Sequence, residues 1–121
     1  MSSEAEPQPV PADALCLVRV WIRPSAERTV LDWLDGGHIA RAVSAPGMLW
    51  ARRFALAEPD EAGWPAYCVL YGARSPDDLK AFFKSDLAQT LLRERDVLGV
   101  ADDIKVEIAW GALEYAVDAL F

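Results

Sequence analysis

The sequence predicts an α+β domain in which a four-stranded antiparallel sheet carries its helices on one face. Three observations indicate this fold class. The chain has 121 residues, which is enough for one domain with one core. Hydrophobic residues make up 53% of it, which excludes global disorder. Strand-like and helix-like runs follow one another in the order strand–helix–strand–strand–helix–strand, with no internal repeat.

The first strand and helix are predicted from one apolar run and one amphipathic run. Ala14–Ile22 is rich in β-branched and aromatic residues and predicts a strand that is covered on both faces. A helix is expected after it, with Ser25 as the N-cap. Gly36-Gly37 is expected to end this helix, because glycine readily adopts the left-handed conformation of helix ends. His38–Ser44 then adds a short helical stretch.

Three more strands complete the predicted sheet. Met48–Leu56 and Ala66–Tyr71 flank Glu58–Pro65, a loop of turn-forming residues, and are expected to form a hairpin. Ile104–Trp110 alternates apolar and polar residues and predicts the last strand. Together with the helical segments, this order is the ferredoxin-like βαββαβ arrangement.

The second helical segment carries clear start and stop signals. Ser75 is expected to be its N-cap, with Pro76 at the first helical position. A second capping signal at Ser85-Asp86 predicts a break into two helices, and Gly99 is expected to end the segment. Apolar residues recur at a spacing of four, at Leu79, Phe83, Leu87 and Leu91.

Two segments flank the predicted domain, which spans residues 14–110. Residues 1–13 are rich in Pro, Ser and Glu, predict a flexible tail and lack the features of a signal peptide. Residues 111–121 (GALEYAVDALF) are too hydrophobic to remain in water. We expect this C-terminal extension to pack on the domain or on a partner subunit.

The charge of the chain excludes several classes of partner. Its net charge is −7, whereas a nucleic-acid binder needs a basic face and an anionic membrane attracts basic segments. No nucleic-acid or membrane partner is therefore expected. Cys16 and Cys68 lie in apolar runs without CxxC spacing, which predicts buried free thiols and a cytoplasmic location.

Metal and cofactor sites find little support. His38 is the only histidine, and no metal-ligand spacing surrounds it or either cysteine. The adjacent carboxylates of Asp77-Asp78 and Asp102-Asp103 are typical of a helix start and a turn. Glycine-rich phosphate loops and nucleophile motifs are also absent from the sequence. We expect neither a metal nor a cofactor.

The face of the sheet away from the helices is predicted to be apolar and large. Such a face is too large to stay exposed on a monomer, and a second copy packing its sheet on the first would cover it. We therefore expect a homodimer. The residues assigned to this face are Leu15, Leu17, Arg19, Trp21, Trp50, Arg52, Phe54, Tyr67, Val69 and Tyr71.

Several of these residues carry a resemblance to a known family. Trp33, His38 and the run Pro46–Phe54 (PGMLWARRF) resemble the first half of EthD-like members of the dimeric α+β barrel superfamily. Tyr67–Tyr71 and the broken helix after it are similar to the second half, so the resemblance covers roughly residues 14–110. It implies a ferredoxin-like fold and a sheet-to-sheet homodimer. The superfamily includes haem-degrading and cofactor-free monooxygenases, polyketide cyclases, isomerases and ligand-sensing domains, so the fold alone selects no reaction.

His38 and Arg52 are the candidate catalytic residues. A histidine has an unperturbed pKa near neutrality and can act as general acid or base, and the resemblance implies a histidine at this place. Arg52 or Arg19 would stabilise an enolate. A histidine without function at a helix end is the alternative interpretation.

A group of aromatic and charged residues on the same predicted face suggests a ligand site. Flat apolar walls, fixed positive charges and phenol groups suit a planar or aromatic small molecule that bears an anionic oxygen. The alternative is that these side chains only fill a dimer interface. The candidate binding residues are Arg19, Trp21, Trp50, Tyr67, Tyr71 and Glu107.

The sequence leaves two hypotheses open. The chain is either a cofactor-independent enzyme of proton-transfer chemistry (isomerase, cyclase or monooxygenase-like) on an aromatic or polyketide-like substrate, or a non-catalytic dimeric module that binds a ligand or assembles. The two share a pocket and differ in whether His38 works as a base.

Overall fold

The computed structural model describes residues 11–120 and confirms the predicted fold class. Its helices and strands are β1 (Ala14–Ile22), α1 (Glu27–Trp33), α2 (Ile39–Val43), β2 (Met48–Ala55), β3 (Ala66–Ala73), α3 (Pro76–Lys84), α4 (Asp86–Leu98) and β4 (Ile104–Ala112). The strands form one antiparallel sheet in the order β2-β3-β1-β4, as the βαββαβ arrangement requires. Residues 1–10 of the predicted tail and Phe121 lie outside the described residues.

The register of the sheet assigns every strand residue to one of two faces, because directly opposite residues point the same way. Cys16 on β1 lies opposite Tyr71 on β3 and Trp110 on β4, on the side that carries the helices. Leu17, the next residue, lies opposite Leu70 and faces away from the helices. We call this second surface the open face. It consists of alternate strand residues from Leu15 to Trp21, Trp50 to Phe54, Ala66 to Gly72 and Lys105 to Gly111.

The prediction that Tyr67, Val69 and Tyr71 lie on the open face is wrong. Their partners on β1 belong to the helix-covered side, and Val69 and Tyr71 are buried in the core there. Strand β3 is apolar on both faces, so its alternation carries no information about which residues point inward. Only the pairing with β1 determines which side chains of β3 face the helices.

The start of the first helix differs from the prediction. Ser25 is not an N-cap, since it lies inside a 3₁₀ turn, Pro24–Ala26, that has no side-chain cap. The α-helix begins one residue later, at Glu27. Proline fixes its own backbone angle near the helical value, and here it begins the tighter turn directly after Arg23.

A kink separates α1 from α2, where the glycine pair was expected to end the helix. The chain continues through one wide turn, Leu34–His38, in which Gly37 has a φ of 129°. Side chains with a Cβ rarely adopt this conformation, whereas glycine adopts it freely. The kink redirects the helical layer just before His38.

The second helical segment follows its predicted signals. The Oγ atom of Ser75 accepts a hydrogen bond from the backbone N–H of Asp78 at 3.1 Å, and Ser85 does the same for Ala88 at 3.1 Å. Two capped helices therefore replace one long helix. The second of them ends at Gly99, which is left-handed.

The open face and the C-terminal extension leave large apolar side chains exposed in the single chain. Phe54 on the open face is 52% exposed. Beyond β4 the chain has no regular structure as far as residue 120, and Tyr115 and Leu120 are 80% and 90% exposed. These surfaces are apolar enough to attract a partner.

Two further findings concern membrane-spanning helices and the two cysteines. In residues 11–120 no helix combines the length and the apolar character that crossing a bilayer requires. Cys16 and Cys68 are both free and buried, as predicted. The cytoplasmic location that the cysteines suggested stays a prediction.

Candidate functional site

A cavity of about 180 Å³ lies between the sheet and the helices. Apolar side chains from both layers form most of its wall, among them Val18, Val69, Leu79, Phe83 and Leu91. His38, Tyr71 and Arg95 add polar groups to this wall. An apolar cavity with a few polar groups has the composition of a small-molecule binding site.

His38 reaches the cavity wall from the kink between α1 and α2. Its ring packs on the indole of Trp33, with 4.2 Å between the ring centroids. Its Nδ1 atom lies 2.9 Å from Oε1 of Glu94 on α4. The side chain is only 16% exposed, so both contacts hold the imidazole in one orientation.

Glu94 receives hydrogen bonds from three side chains. Arg41 donates from its guanidinium, Trp33 donates from Nε1 at 3.1 Å, and the third contact is to His38. The bond from Arg41, followed by those from His38 and Trp33, lowers the pKa of the Glu94 carboxyl to about 2. Glu94 is therefore ionised at neutral pH and can only accept hydrogen bonds.

The ionised carboxylate decides where the proton of a neutral His38 lies. Since Glu94 can only accept, the Nδ1 atom of His38 must carry the hydrogen that joins them. The Nε2 atom is then unprotonated and available as a base, and no protein group bonds to it within the described residues. This pairing of imidazole and carboxylate is the one that orients a general base in hydrolases.

The lowered pKa of Glu94 predicts a pH-dependent contribution to stability. The contribution is present above pH 4.5, the ordinary value of the group, and is lost as the pH falls from there to about 2. Glu94→Gln should therefore lower the free energy of unfolding by ~1–2 kcal/mol at pH 7, and by progressively less below pH 4.5. Urea unfolding of both proteins between pH 7 and 2.5 measures this difference. Asp96→Asn, an exposed change on the same helix, is the control and should show no such trend. A stability difference between wild type and Glu94→Gln that stays the same at every pH would contradict the assignment.

Tyr71 and Cys16 are neutral groups at the inner wall of the cavity. Burial raises the pKa of the Tyr71 phenol to about 12, and burial likewise raises the pKa of the Cys16 thiol to about 11. At neutral pH the phenol is a hydrogen-bond donor, and the thiol is not a nucleophile. Tyr71 can therefore donate to an oxygen of a bound molecule.

The structure separates the two predicted catalytic residues. His38 lies in the wall of the cavity, under the helices, whereas Arg52 lies on the open face. The guanidinium of Arg52 stacks on Trp50, with its Cζ atom 5.4 Å from the centroid of the ring. The sheet thus stands between the two side chains.

The remaining predicted binding residues divide between the same two sides. Arg19 stacks on Trp21 and lies 3.9 Å from Glu107, so these three form a cluster on the open face. Tyr67 is on the helix-covered side and its hydroxyl donates to Glu27 at 2.5 Å, which raises the pKa of the phenol. No single surface brings all of them together.

Glu94 and Arg95 are the site residues that the sequence analysis missed. They lie in the charged run RERD, which is typical of a solvated helix face. A usable signal was present, because they follow Leu87 and Leu91 at the spacing that continues one apolar stripe. Charged residues that continue such a stripe must find partners or line a cavity.

Metal binding receives no geometric support from the described part of the chain. Within residues 11–120, no three His, Cys, Asp or Glu side chains are grouped as a metal ion would need. That the site works without metal or cofactor stays a prediction.

Comparison with known families gives one match. The profile of a family described as "Domain of unknown function (DUF4286)" matches residues 15–94, more than half of the chain. No curated protein matches the sequence.

Solved structures with the same fold include proteins of several kinds. A monooxygenase from Streptomyces coelicolor in complex with nanaomycin D is 16% identical, with a TM-score of 0.63 over 89% of this chain and 93% of that one. A dimeric ferredoxin-like protein from an uncultured marine organism is 11% identical, with a TM-score of 0.67 over 88% and 100%. An ethyl tert-butyl ether degradation (EthD) family protein from Bacillus halodurans is 12% identical, with a TM-score of 0.57 over 79% and 96%. These likenesses confirm the resemblance to EthD-like dimeric α+β barrel proteins at the level of the fold.

Proposed function

The chain belongs to the DUF4286 family, a domain of unknown function, and we propose that it is a small-molecule enzyme of the dimeric α+β barrel type. Its reaction is cofactor-independent proton transfer (isomerase, cyclase or monooxygenase-like) on an aromatic or polyketide-like substrate. The observation that supports this most is that His38 lines a mostly apolar cavity while its Nδ1 atom is held by Glu94.

His38 is the general base of the proposed reaction. Its Nε2 atom takes a proton from an acidic carbon of the substrate, and Glu94 stabilises the imidazolium that forms. The electron pair left on the carbon delocalises into a neighbouring carbonyl and gives an enolate. The proton then returns to another atom of the substrate or is released to water.

Tyr71 is the donor that we assign to the enolate oxygen. Its phenol stays protonated because burial raises its pKa to about 12, and it lines the same cavity as His38. A hydrogen bond is worth more in an apolar surrounding than in water. Arg52 and Arg19, the residues predicted for this task, lie on the open face and belong instead to the proposed dimer surface.

Proton transfer can be tested with anthrone, a tricyclic ketone with an acidic C–H at its central ring. The wild-type protein should accelerate exchange of this hydrogen in deuterated buffer under nitrogen, followed by NMR. His38→Asn should lower the protein-dependent rate by at least about a hundredfold, because general-base catalysis typically contributes this much. Arg28→Gln, an exposed change on α1, is the control and should leave the rate unchanged.

The same assay distinguishes the alternatives. If anthrone binds equally to wild type and His38→Asn and neither accelerates exchange, the chain is the non-catalytic ligand-binding module. Equal acceleration by both proteins would remove His38 as the base. In air, one anthrone and one O₂ give one anthraquinone and one water, so oxygen uptake separates a monooxygenase-like reaction from isomerisation.

We also propose that the working unit is a homodimer that packs one open face on the other. The open face presents Leu15, Trp21 and Phe54 to solvent in the single chain, and a symmetric pair would bury them. A groove on this face is lined by Leu15, Trp50 and Tyr115, so it runs directly into the C-terminal extension. We propose that the extension continues this interface and packs on the partner subunit.

A further inference from the structure

The guanidinium of Arg95 differs from the other arginines of residues 11–120 in having a buried nitrogen without a hydrogen-bond partner. It also forms no ion pair with a carboxylate among these residues, a property it shares with Arg28, Arg52 and Arg93; the five arginines that form one are Arg19, Arg23, Arg41, Arg53 and Arg74. The Nε atom of Arg95 is fully buried and has no hydrogen-bond partner among the described residues. The side chain also lines the cavity that holds His38.

The surroundings of Arg95 on α4 offer nothing that could neutralise its charge. The positions three and four residues away, where a helix places side-chain neighbours, are Leu91, Leu92, Leu98 and Gly99. Two carboxylates are adjacent to Arg95 in the chain: Glu94 is already held by three other donors, and Asp96 is exposed and forms no ion pair with Arg95 among the described residues. A guanidinium stays charged at every physiological pH, and a buried donor without a partner is unfavourable.

An anionic ligand would satisfy this group. We infer that the cavity binds an amphipathic organic acid, with its apolar rings against the cavity wall and its carboxylate or phenolate on Arg95. The Nε–H and the terminal N–H groups of a guanidinium match two oxygen atoms of an anion in one plane. A neutral amide of the same shape offers one carbonyl acceptor and no charge, so its pairing with the guanidinium would be weaker. This inference rests on the proposed function, because it specifies the ligand class of the same cavity.

Two nearly isosteric probes test the inference, 2-naphthoate and its neutral amide, 2-naphthamide. Isothermal titration calorimetry with the wild-type chain should give at least about tenfold tighter binding of the acid, as a charge-assisted pair requires. Arg95→Met keeps the apolar stem and removes the donors, so the two probes should then bind within about threefold of each other. Arg93→Met, an exposed change on the same helix, should keep the preference for the acid.

The outcomes separate the ligand class from the existence of the site. If both probes bind the wild type equally, or if Arg95→Met still prefers the acid, the assignment of Arg95 is wrong while the cavity remains a binding site. If neither probe binds, the cavity proposal fails together with it. Arg95→Gln, which keeps a polar side chain without the charge, provides the same comparison should the methionine variant fold poorly.

Discussion

Phe54→Asp is expected to convert the proposed homodimer into a folded monomer. Phe54 lies on the open face and is half exposed in the single chain, so the monomer does not need it for its core. A symmetric interface would receive the new charge twice, and each buried, unpaired charge costs several kcal/mol. The dissociation constant of the dimer should therefore rise by at least about a thousandfold. Leu15→Asp, on a central strand of the same face, should act in the same way.

Sedimentation velocity over a range of protein concentrations measures this effect. Val97→Asp is the matched control, because Val97 is also an exposed apolar residue but lies on α4, away from the open face. This variant should remain dimeric. Circular dichroism confirms that each variant is folded. Folded Phe54→Asp and Leu15→Asp proteins that stay dimeric at the wild-type affinity would show that the interface lies elsewhere.

Leu79→Ala is expected to be the most destabilising single change in the helical layer. Leu79 is 0% exposed, on α3, and belongs to the core cluster that also contains Val69, Tyr71 and Leu91. Replacing a buried leucine with alanine costs about 2–5 kcal/mol, with the higher values where the surroundings cannot collapse into the space. The existing cavity beside Leu79 already leaves part of its wall without packing partners, so we expect a loss of about 3 kcal/mol.

Chemical denaturation at one fixed protein concentration measures this loss, since dimerisation would otherwise shift the midpoint. The control is Leu92→Ala on α4, which lines the same cavity but is 52% exposed. It should lower the free energy of unfolding by less than about 1 kcal/mol, because little apolar surface is removed from burial. Equal losses for Leu79→Ala and Leu92→Ala would contradict the description of the core.

The second helical segment shows how much of the fold can be read locally. Ser75 and Ser85 were expected to cap helices, and both do so through hydrogen bonds to backbone groups three residues ahead. Such signals involve atoms a few residues apart, so the sequence is sufficient to predict them. Ser25 failed as a cap for a similarly local reason, because the proline before it begins a 3₁₀ turn.

Strand β3 shows the limit of prediction from local sequence, because its pattern does not indicate which of its side chains face the helices. The sequence placed Tyr71 on the open face, but its pairing with Cys16 turns it into the core and into the wall of the cavity. A strand that is buried on both faces looks the same in either phase. The correct phase depends on hydrogen bonds to β1, whose paired residues lie 45 to 59 positions earlier in the chain.

The candidate site was predicted only in part for the same reason. His38 stood out as the only histidine, and the structure places it in the cavity wall. Its partner Glu94 is 56 residues away in the chain, and nothing in the local pattern joins the two. Arg52 was predicted to belong to the same site, but the sheet separates it from His38.

By itself, the sequence determined the order of strands and helices, the breaks at Gly37 and Ser85 and the presence of an apolar face without helices. These features follow from side-chain preferences and spacing within a few residues. Only the tertiary structure decided which of the two sheet faces each aromatic residue occupies, that Glu94 pairs with His38, and that His38 and Arg95 line one cavity. Strand register and helix packing bring together residues that are far apart in the chain, and no local pattern encodes those distances.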